Sequence, residues 1–205
     1  MLPVFQPCFG RRASRPAPLA ALALLLVLGF AVRARTGLSE GAFASDLDGK
    51  PVDPFRAARG QLVVLVFIRT DCPISNRYAP LLETLSGNYH GKADFWLVYP
   101  DRAETASQIK VHLRDFRYSI PALRDTRHAL VRRARATITP EAAVFDLSGR
   151  LLYHGRIDNW YEDFGRARAA ATTHELDDAI RASLAGKKPD PDHSSAVGCY
   201  ISDLE

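Results

Sequence analysis

Residues 61–75 read QLVVLVFIRTDCPIS, and this stretch decides the fold. Residues 61–68 form an unbroken, largely β-branched apolar run, which predicts a central strand buried on both faces. Cys72 follows that strand after three polar residues, and Pro73 suits the first turn of a helix. The stretch therefore places a cysteine between a buried strand and a helix, where an α/β sheet presents its reactive groups.

The predicted position of Cys72 favours a reactive thiolate. Unpaired backbone N–H groups and the helix dipole stabilise an anion at a helix start, and the thiolate is the nucleophilic form of cysteine. Arg69 and Arg77 add positive potential nearby, whereas Asp71 opposes it. The alternative is a buried, inert cysteine, a common fate for an isolated one. The junction of strand, Cys-Pro and helix favours the reactive interpretation.

Patterns on both sides of this junction predict alternating strands and helices. A hairpin is expected over 43–54, around Asp48-Gly49. Further strands are expected at 93–99, 122–125, 141–146 and 151–157, and helices at 75–89 with a kink at Pro80, 104–116, 126–134 and 173–184. This order predicts an α/β domain with a mixed sheet covered on both faces.

Charge and composition exclude several classes of protein. The 205 residues carry 27 Lys+Arg against 23 Asp+Glu, a formal charge of +4. Residues 1–35 hold five of the arginines and no acid, which leaves 22 basic and 23 acidic residues in the remaining body. That body has no excess positive charge for a nucleic acid. With 47% hydrophobic and 24% charged residues, the chain is neither disordered nor a disulfide-dense scaffold.

The N-terminus predicts export. Residues 19–32 (LAALALLLVLGFAV) carry no charge and follow several arginines, the pattern of a signal peptide. Val32-Arg33-Ala34 is a poor cleavage site, so residues 1–35 are interpreted as a signal peptide or an N-terminal membrane anchor. The expected protein is periplasmic or otherwise extracytoplasmic, either soluble after cleavage or membrane-anchored. Residues 36–186 form the predicted domain, and 187–205 a flexible C-terminal tail.

Two of the three cysteines lie in the part of the chain that is predicted to be exported. Cys8 precedes the apolar segment, and the other two are Cys72 and Cys199, which lies in the tail. In an oxidising compartment such a pair is either a structural disulfide or a redox pair that cycles.

The histidines are weaker candidates. His112 and His128 are expected on surface helices, and His154 is expected to be exposed on a hairpin strand. His193 and Cys199 lie six residues apart in the tail, which is poor geometry for a metal site, although with Cys72 they make a soft ligand set. Residues 158–164 form an aromatic and acidic loop, interpreted as packed surface.

A second element lies before the strand EAAVFD, where Thr139 precedes Pro140 in a bond of the type that adopts cis geometry. The order of TDCPIS (70–75), TP (139–140) and VFDLSG (144–149) resembles the thioredoxin-like superfamily over residues 40–185. The stretches DCPISNRYAP, TPEAAVFD, GRIDNWYEDFG and VGCYI resemble exported redoxins of the AhpC/TSA type. This resemblance implies a thioredoxin-like three-layer sandwich with a mixed central sheet and an N-terminal β-hairpin extension.

The resemblance also implies roles for five residues. Cys72 is the expected nucleophile toward a disulfide or a peroxide. Cys199 is a candidate resolving cysteine, and the alternative is a tail thiol or a cysteine that bonds to another protein. Thr139 and Pro140 are expected to shape the substrate groove, and Ser75 to hydrogen-bond the thiolate. No cofactor or metal is implied. The expected partners are a thiol or disulfide protein or a small peroxide, together with an external thiol reductant, and the oligomeric state is left open.

The chain departs from the patterns of the families it resembles. Ser75 stands where a dithiol thioredoxin has its second cysteine. Leu65 and Arg69 replace the Pro and Thr of peroxiredoxins, and Pro140 falls near the position of their peroxide-binding arginine. The alternative function is a non-catalytic copper-handling or adaptor module. Copper delivery in that related group uses Cys-x-x-x-Cys with a distant histidine, and Asn76 replaces the second cysteine here.

Overall fold

The computed structural model describes residues 43–202 and 204. The helices are α1 (Pro54–Ala57), α2 (Pro73–Arg77), α3 (Ala79–Asn88), α4 (Ala106–Asp115), α5 (Ala129–Ala134) and α6 (Glu175–Leu184). The strands are β1 (Ala44–Ser45), β2 (Pro51–Val52), β3 (Leu62–Phe67), β4 (Ala93–Tyr99), β5 (Ala122–Arg124), β6 (Ile138–Thr139), β7 (Glu141–Asp146), β8 (Leu151–Gly155), β9 (Tyr161–Asp163), β10 (Arg166–Ala167) and β11 (Cys199–Tyr200). Among these helices none is long and apolar enough to cross a bilayer. The predicted export segment, residues 1–35, lies outside the described residues.

Seven strands form one mixed sheet in the order β2-β1-β5-β4-β3-β7-β8. Strands β3, β4 and β5 are parallel, whereas β7 runs antiparallel to β3, so that Val64 lies between Phe95 and Val144. Every residue of β3 is buried, as expected for a strand covered on both faces. The hairpin β1–β2 extends the sheet beyond β5. The predicted mixed sheet with an N-terminal hairpin is confirmed.

Helices cover both faces of the sheet. Val64 and Val66 share one core with residues from α3, α4 and α6. Val63 and Leu65 point to the opposite core, which contains residues from α5 and is flanked by Phe55 of α1. This alternation follows from the two-residue period of a strand. The result is the three-layer sandwich that the sequence implied.

The proline in the predicted 75–89 helix marks a helix boundary. The segment is two helices that meet at Tyr78, because Pro80 suits the first turn of α3 and cannot continue α2. The Tyr78 hydroxyl is buried and donates to Asp158 Oδ1 at 2.6 Å. This bond ties the cysteine-bearing helix to the 158–164 loop, whose Trp160 and Tyr161 rings pack against Tyr78.

Several predicted boundaries were wrong by two or three residues, including the starts of α4 and α6. The strand expected at 151–157 ends at Gly155. The helix expected at 126–134 begins at Ala129, because the buried Asp125 carboxylate accepts three backbone N–H groups of its first turn. The short elements α1, β6, β9, β10 and β11 have no clear sequence pattern and were not predicted.

The expectation that His112 and His128 lie on the surface was wrong. Their exposed fractions are 4% and 2%. Each ring is satisfied by hydrogen bonds: His128 Nε2 lies 3.0 Å from the Pro100 carbonyl, and His112 lies between two polar side chains near Cys72. Burial of a polar ring costs less when its nitrogens have hydrogen-bond partners, as both do in His112.

The C-terminal segment, treated as a tail in the sequence analysis, lies against the sheet. Ser194 Oγ lies 2.7 Å from the Tyr153 hydroxyl and accepts the Arg156 N–H, and its backbone N–H donates to His154. Farther along, β11 pairs with β6, and Ile201 is 5% exposed within the core. These contacts return the chain end to the edge where the candidate site lies.

We expect Tyr78→Phe to lower the free energy of unfolding by about 1.5–3 kcal/mol, because it removes a buried hydrogen bond to a carboxyl group. Urea denaturation measures this change. Tyr200→Phe is the matched control, since Tyr200 is 77% exposed, and it should change stability by less than about 0.5 kcal/mol. Equal effects of the two substitutions would contradict the assigned role of Tyr78.

Candidate active site

Cys72 lies at the predicted junction and caps the helix that follows. Its backbone is extended (φ −84°, ψ 108°), Pro73 occupies the first turn of α2, and the backbone N–H of Ser75 donates to Cys72 Sγ at 3.5 Å. An N-cap side chain normally satisfies such an N–H with oxygen. Sulfur takes that place here, so that a helix N–H points at the atom that would carry the thiolate charge.

The loop before β7 covers the cysteine from the other side. Thr139-Pro140 is a cis peptide bond, in the geometry that the sequence made available. The Cys72 thiol donates to the Thr139 carbonyl oxygen at 3.2 Å, and Thr139 is fully buried. Cys72 itself has 0% exposed area. The structure therefore brings Cys72, Ser75, Thr139 and Pro140 together.

The fifth predicted site residue, Cys199, arrives on β11. Cys199 pairs with Thr139 in an antiparallel bridge, and the Thr139 hydroxyl donates to the Cys199 carbonyl at 3.2 Å. Thr139 is thus bonded to both cysteines. Both thiols are free, with Cys72 buried and Cys199 partly exposed, and they are close enough to shift each other's pKa.

The pKa values of the two thiols are shifted in opposite directions. Burial alone would raise the pKa of Cys72, but hydrogen bonds from Ser75 and Cys199 outweigh burial and lower it. Burial, followed by the hydrogen bond and charge of Cys72, raises the pKa of Cys199 to about 11. Cys72 is therefore the better nucleophile of the pair at neutral pH.

The predicted hydroxyl contact of Ser75 is absent from the hydrogen bonds of the described residues. Ser75 Oγ is buried without a partner there, and the bond that reaches Cys72 comes from the Ser75 backbone. A side-chain role was a reasonable expectation for a serine at this position. The backbone N–H makes this contact with the neutral thiol, and both the Ser75 hydroxyl and the Ser75 backbone N–H lower the pKa of Cys72.

The arginines near the cysteine are engaged elsewhere. Arg69 forms ion pairs with Asp71 at 3.0 Å and Asp101 at 3.1 Å. Arg77 lies over the Trp160 ring. No lysine or arginine in the described part of the chain hydrogen-bonds to Cys72 Sγ, so helix and thiol donors supply the stabilisation that the sequence analysis assigned partly to these cations.

A buried carboxyl group fixes the loop that leads into Cys72. Glu104 Oε1 accepts the Thr70 N–H at 2.6 Å, and burial raises the pKa of Glu104. Glu104 is 6% exposed. Sequence reasoning missed this residue because its partner lies 34 positions away and no local pattern links the two.

A polar network that the sequence did not predict links the helix after Cys72 to α4 and the sheet. Asn76 Nδ2 donates to the Thr70 carbonyl at 3.1 Å, and Asn76 Oδ1 lies 2.7 Å from His112 Nε2. His112 Nδ1 in turn lies 2.8 Å from the Tyr99 hydroxyl. The network assigns the proton to His112 Nε2, because an amide oxygen can only accept. Burial lowers the pKa of His112.

The other histidines lie outside this site. His154 Nδ1 lies 3.4 Å from Glu141 Oε1, its ring stacks on His193, and His193 Nδ1 bonds to Asp192. The soft ligand set considered for His193 with the two cysteines was wrong: residues 43–202 contain no group of three or more His, Cys, Asp or Glu side chains placed to hold a metal.

Comparison with known proteins agrees with this geometry. Residues 60–151, which include β3, Cys72, Pro140 and β7, match a family model described as thioredoxin-like. The chain has a thioredoxin-like fold. The narrower resemblance to AhpC/TSA redoxins is consistent with this match.

Solved structures share the thioredoxin-like fold. An uncharacterised conserved protein from Geobacillus kaustophilus is 21% identical with a TM-score of 0.68, over 80% of this chain and 90% of that one. A hypothetical protein from Sinorhizobium meliloti 1021 is 22% identical with a TM-score of 0.66, over 82% and 95%. The exposed lipoprotein thioredoxin Etrx1 from Streptococcus pneumoniae strain TIGR4 is 18% identical with a TM-score of 0.50, over 70% and 96%. Comparison with curated protein sequences gave no match.

We expect Cys199→Ala to raise the pKa of Cys72, because the substitution removes a thiol that donates to the Cys72 sulfur. The pH dependence of iodoacetamide labelling, followed on the Cys72 peptide by mass spectrometry, gives this pKa. Tyr200→Ala on the same strand is the control and should leave the midpoint unchanged. A midpoint in Cys199→Ala at or below the wild-type value would contradict the assignment.

The buried His112 predicts a loss of stability in mild acid. Because its folded-state pKa is lowered, the unfolded chain takes up a proton near pH 6.5 before the folded chain does. Stability should therefore fall as pH drops from 7 toward 5, by up to about 1.4 kcal/mol per pH unit for this group. Urea denaturation of His112→Gln should show a smaller loss over the same window. An equal loss in both proteins would exclude His112 as the cause.

Proposed function

We propose that this chain is a thiol-disulfide oxidoreductase that works outside the cytoplasm, with Cys72 and Cys199 as its redox pair. One observation carries the proposal: a helix-capping thiol of lowered pKa lies beside a second thiol of raised pKa on a neighbouring strand. Thr139 contacts both. A pair in which one thiol is acidic and the other is held nearby suits a two-step exchange.

The first step is attack of the Cys72 thiolate on a substrate disulfide. The substrate S–S bond breaks, a mixed disulfide forms between Cys72 and one substrate sulfur, and the other substrate sulfur leaves as a thiolate that takes a proton from water. The Ser75 N–H bond to Cys72 Sγ stabilises the thiolate before attack.

The second step uses Cys199. Burial, then the hydrogen bond and charge of Cys72, keep Cys199 protonated in the reduced protein. Formation of the mixed disulfide removes the hydrogen bond and the charge of the Cys72 thiolate. The pKa of Cys199 therefore falls at the step that needs its thiolate. Cys199 then attacks the Cys72 sulfur, breaks the mixed disulfide and releases the second substrate thiol. The substrate gains two electrons, the protein holds a Cys72–Cys199 disulfide, and an external thiol reductant restores the dithiol.

Disulfide exchange is favoured over peroxide reduction. Arg69, at the position of the peroxiredoxin threonine, is held by two carboxylates, and Pro140 lies near the position of the peroxide-binding arginine. Among the described residues no cationic donor reaches the Cys72 sulfur to polarise a peroxide. The copper alternative also loses support, because Asn76 is bonded to His112 and Thr70 rather than facing Cys72.

Export remains part of the proposal. It is supported by the arginine-flanked apolar segment at residues 19–32 and by the likeness to a pneumococcal thioredoxin whose description is an exposed lipoprotein. Whether the segment is cleaved or kept as an anchor decides between a soluble and a membrane-attached protein. The nearly neutral body agrees with a protein substrate rather than a nucleic acid.

Insulin reduction driven by dithiothreitol tests this function. We expect wild-type protein to accelerate the reduction, Cys72→Ser to abolish the acceleration, and Cys8→Ser, which alters a cysteine in the export segment, to leave it unchanged. Without reductant, Cys199→Ser should accumulate a mixed disulfide at Cys72 with a disulfide-containing peptide, whereas wild type should not. Full activity in Cys72→Ser, or faster turnover with hydrogen peroxide than with insulin, would refute the proposal.

A further inference from the structure

The segment that carries Cys199 also covers Cys72. Residues 198–201, here called the strap, run along β6 as its partner strand. Ile201 N–H donates to the Thr137 carbonyl at 3.0 Å, and Cys199 pairs with Thr139. With the strap in place Cys72 has no exposed area, so an external disulfide cannot reach its sulfur.

The strap fits β6 closely at one point. A Cβ added to Gly198 would lie 2.0 Å from the Thr139 carbonyl oxygen and 2.7 Å from its carbonyl carbon. Both are backbone atoms, so a side chain at this position would force the two strands apart. Glycine therefore permits the approach that places Cys199 against Cys72.

The strap is held by few bonds, and a short segment without hydrogen bonds precedes it. The chain is anchored at Ser194 by bonds to Tyr153, His154 and Arg156. Between this anchor and the strap, Ser195 to Val197 make no hydrogen bond within the described part of the chain. Beyond Val197, the strap is retained by two paired residues, the Thr139 hydroxyl bond to the Cys199 carbonyl, the Ile201 N–H bond, and the packing of Cys199 and Ile201. Such a segment opens locally at far lower cost than global unfolding.

We propose that the strap is a built-in competitor for the β6 edge that must leave before a substrate reaches Cys72. This inference rests on the proposed function and adds its regulation. When the strap swings out about residues 195–197, the edge of Ile138 and Thr139 is free to pair with an extended polypeptide that carries a cysteine. The return of the strap displaces that polypeptide and delivers Cys199 to the mixed disulfide. One movement of the strap thus couples resolution of the mixed disulfide to release of the reduced polypeptide.

Labelling of Cys72 tests the strap without using Cys199 as a thiol. The parent protein is the full chain carrying Cys199→Ser, and iodoacetamide labelling of the Cys72 peptide is followed by mass spectrometry. Rates are compared at the high-pH plateau, where Cys72 is fully ionised, so that a change in pKa does not mimic a change in access. Adding Gly198→Ala should raise the rate at least about tenfold, because labelling that requires opening scales with the open population.

A truncated chain that ends at Val197 removes the strap without introducing a clash and should show the same increase. Gly87→Ala in the parent is the matched control, since a Cβ there meets no atom within 4 Å, and its rate should equal that of the parent. Circular dichroism and thermal melting establish that each variant is folded.

Labelling rates equal to that of the parent in both folded strap variants would overturn the strap as a cover, whatever the outcome of the insulin assay. Faster labelling of the strap variants, together with no insulin reduction by the wild-type protein, would refute the oxidoreductase function and leave the strap.

Discussion

The hydrogen bond from the Cys72 thiol to the Thr139 carbonyl joins three parts of the fold that are far apart in sequence. Cys72 comes at the end of the central strand, Thr139 precedes the antiparallel half of the sheet, and β11 pairs with Thr139 from the chain end. The 3.2 Å separation of sulfur and oxygen requires that β3 and β7 be in register. Burial of every residue in β3 provides the rigid base for that alignment.

The site stabilises a thiolate without a cation. A helix N–H and a neighbouring thiol donate to Cys72, and these bonds outweigh the cost of burial. The nearby arginine is neutralised by two aspartates, and the adjacent polar network of Asn76 and His112 fixes the helix rather than the sulfur. Acidity at Cys72 therefore depends on the position of β11, so that the same segment sets both the reactivity and the accessibility of the nucleophile.

Local patterns in the sequence were enough to predict most of the fold. The apolar run at 61–68, the Cys-Pro junction and Thr139-Pro140 place the central strand, the helix start and the loop that faces it. These signals are local, because they depend on residues within one strand or one turn. The Cys-Pro junction indicated Cys72 as a candidate nucleophile, and the resemblance to thioredoxin-like proteins added Thr139 and Pro140.

Other features depend on distant contacts and leave no local pattern. Cys199 lies 127 residues after Cys72, and only the pairing of two-residue strands brings it to Thr139. The burial of His112 depends on Asn76 and Tyr99 reaching its ring from two other elements. A helix with alternating polar residues gave no reason to expect this, and a tail rich in Pro, Asp and Ser gave no reason to expect a strand.

Disulfide mapping of the full chain in a glutathione redox titration tests the pairing of Cys72 with Cys199 most directly. The samples are quenched with acid, the free thiols are alkylated, and the non-reduced peptides are identified by mass spectrometry. The expected result is a single Cys72–Cys199 disulfide within one chain, which forms and breaks reversibly as the redox buffer changes. A persistent glutathione adduct on Cys72 with Cys199 free, or a bond between two chains, would contradict it.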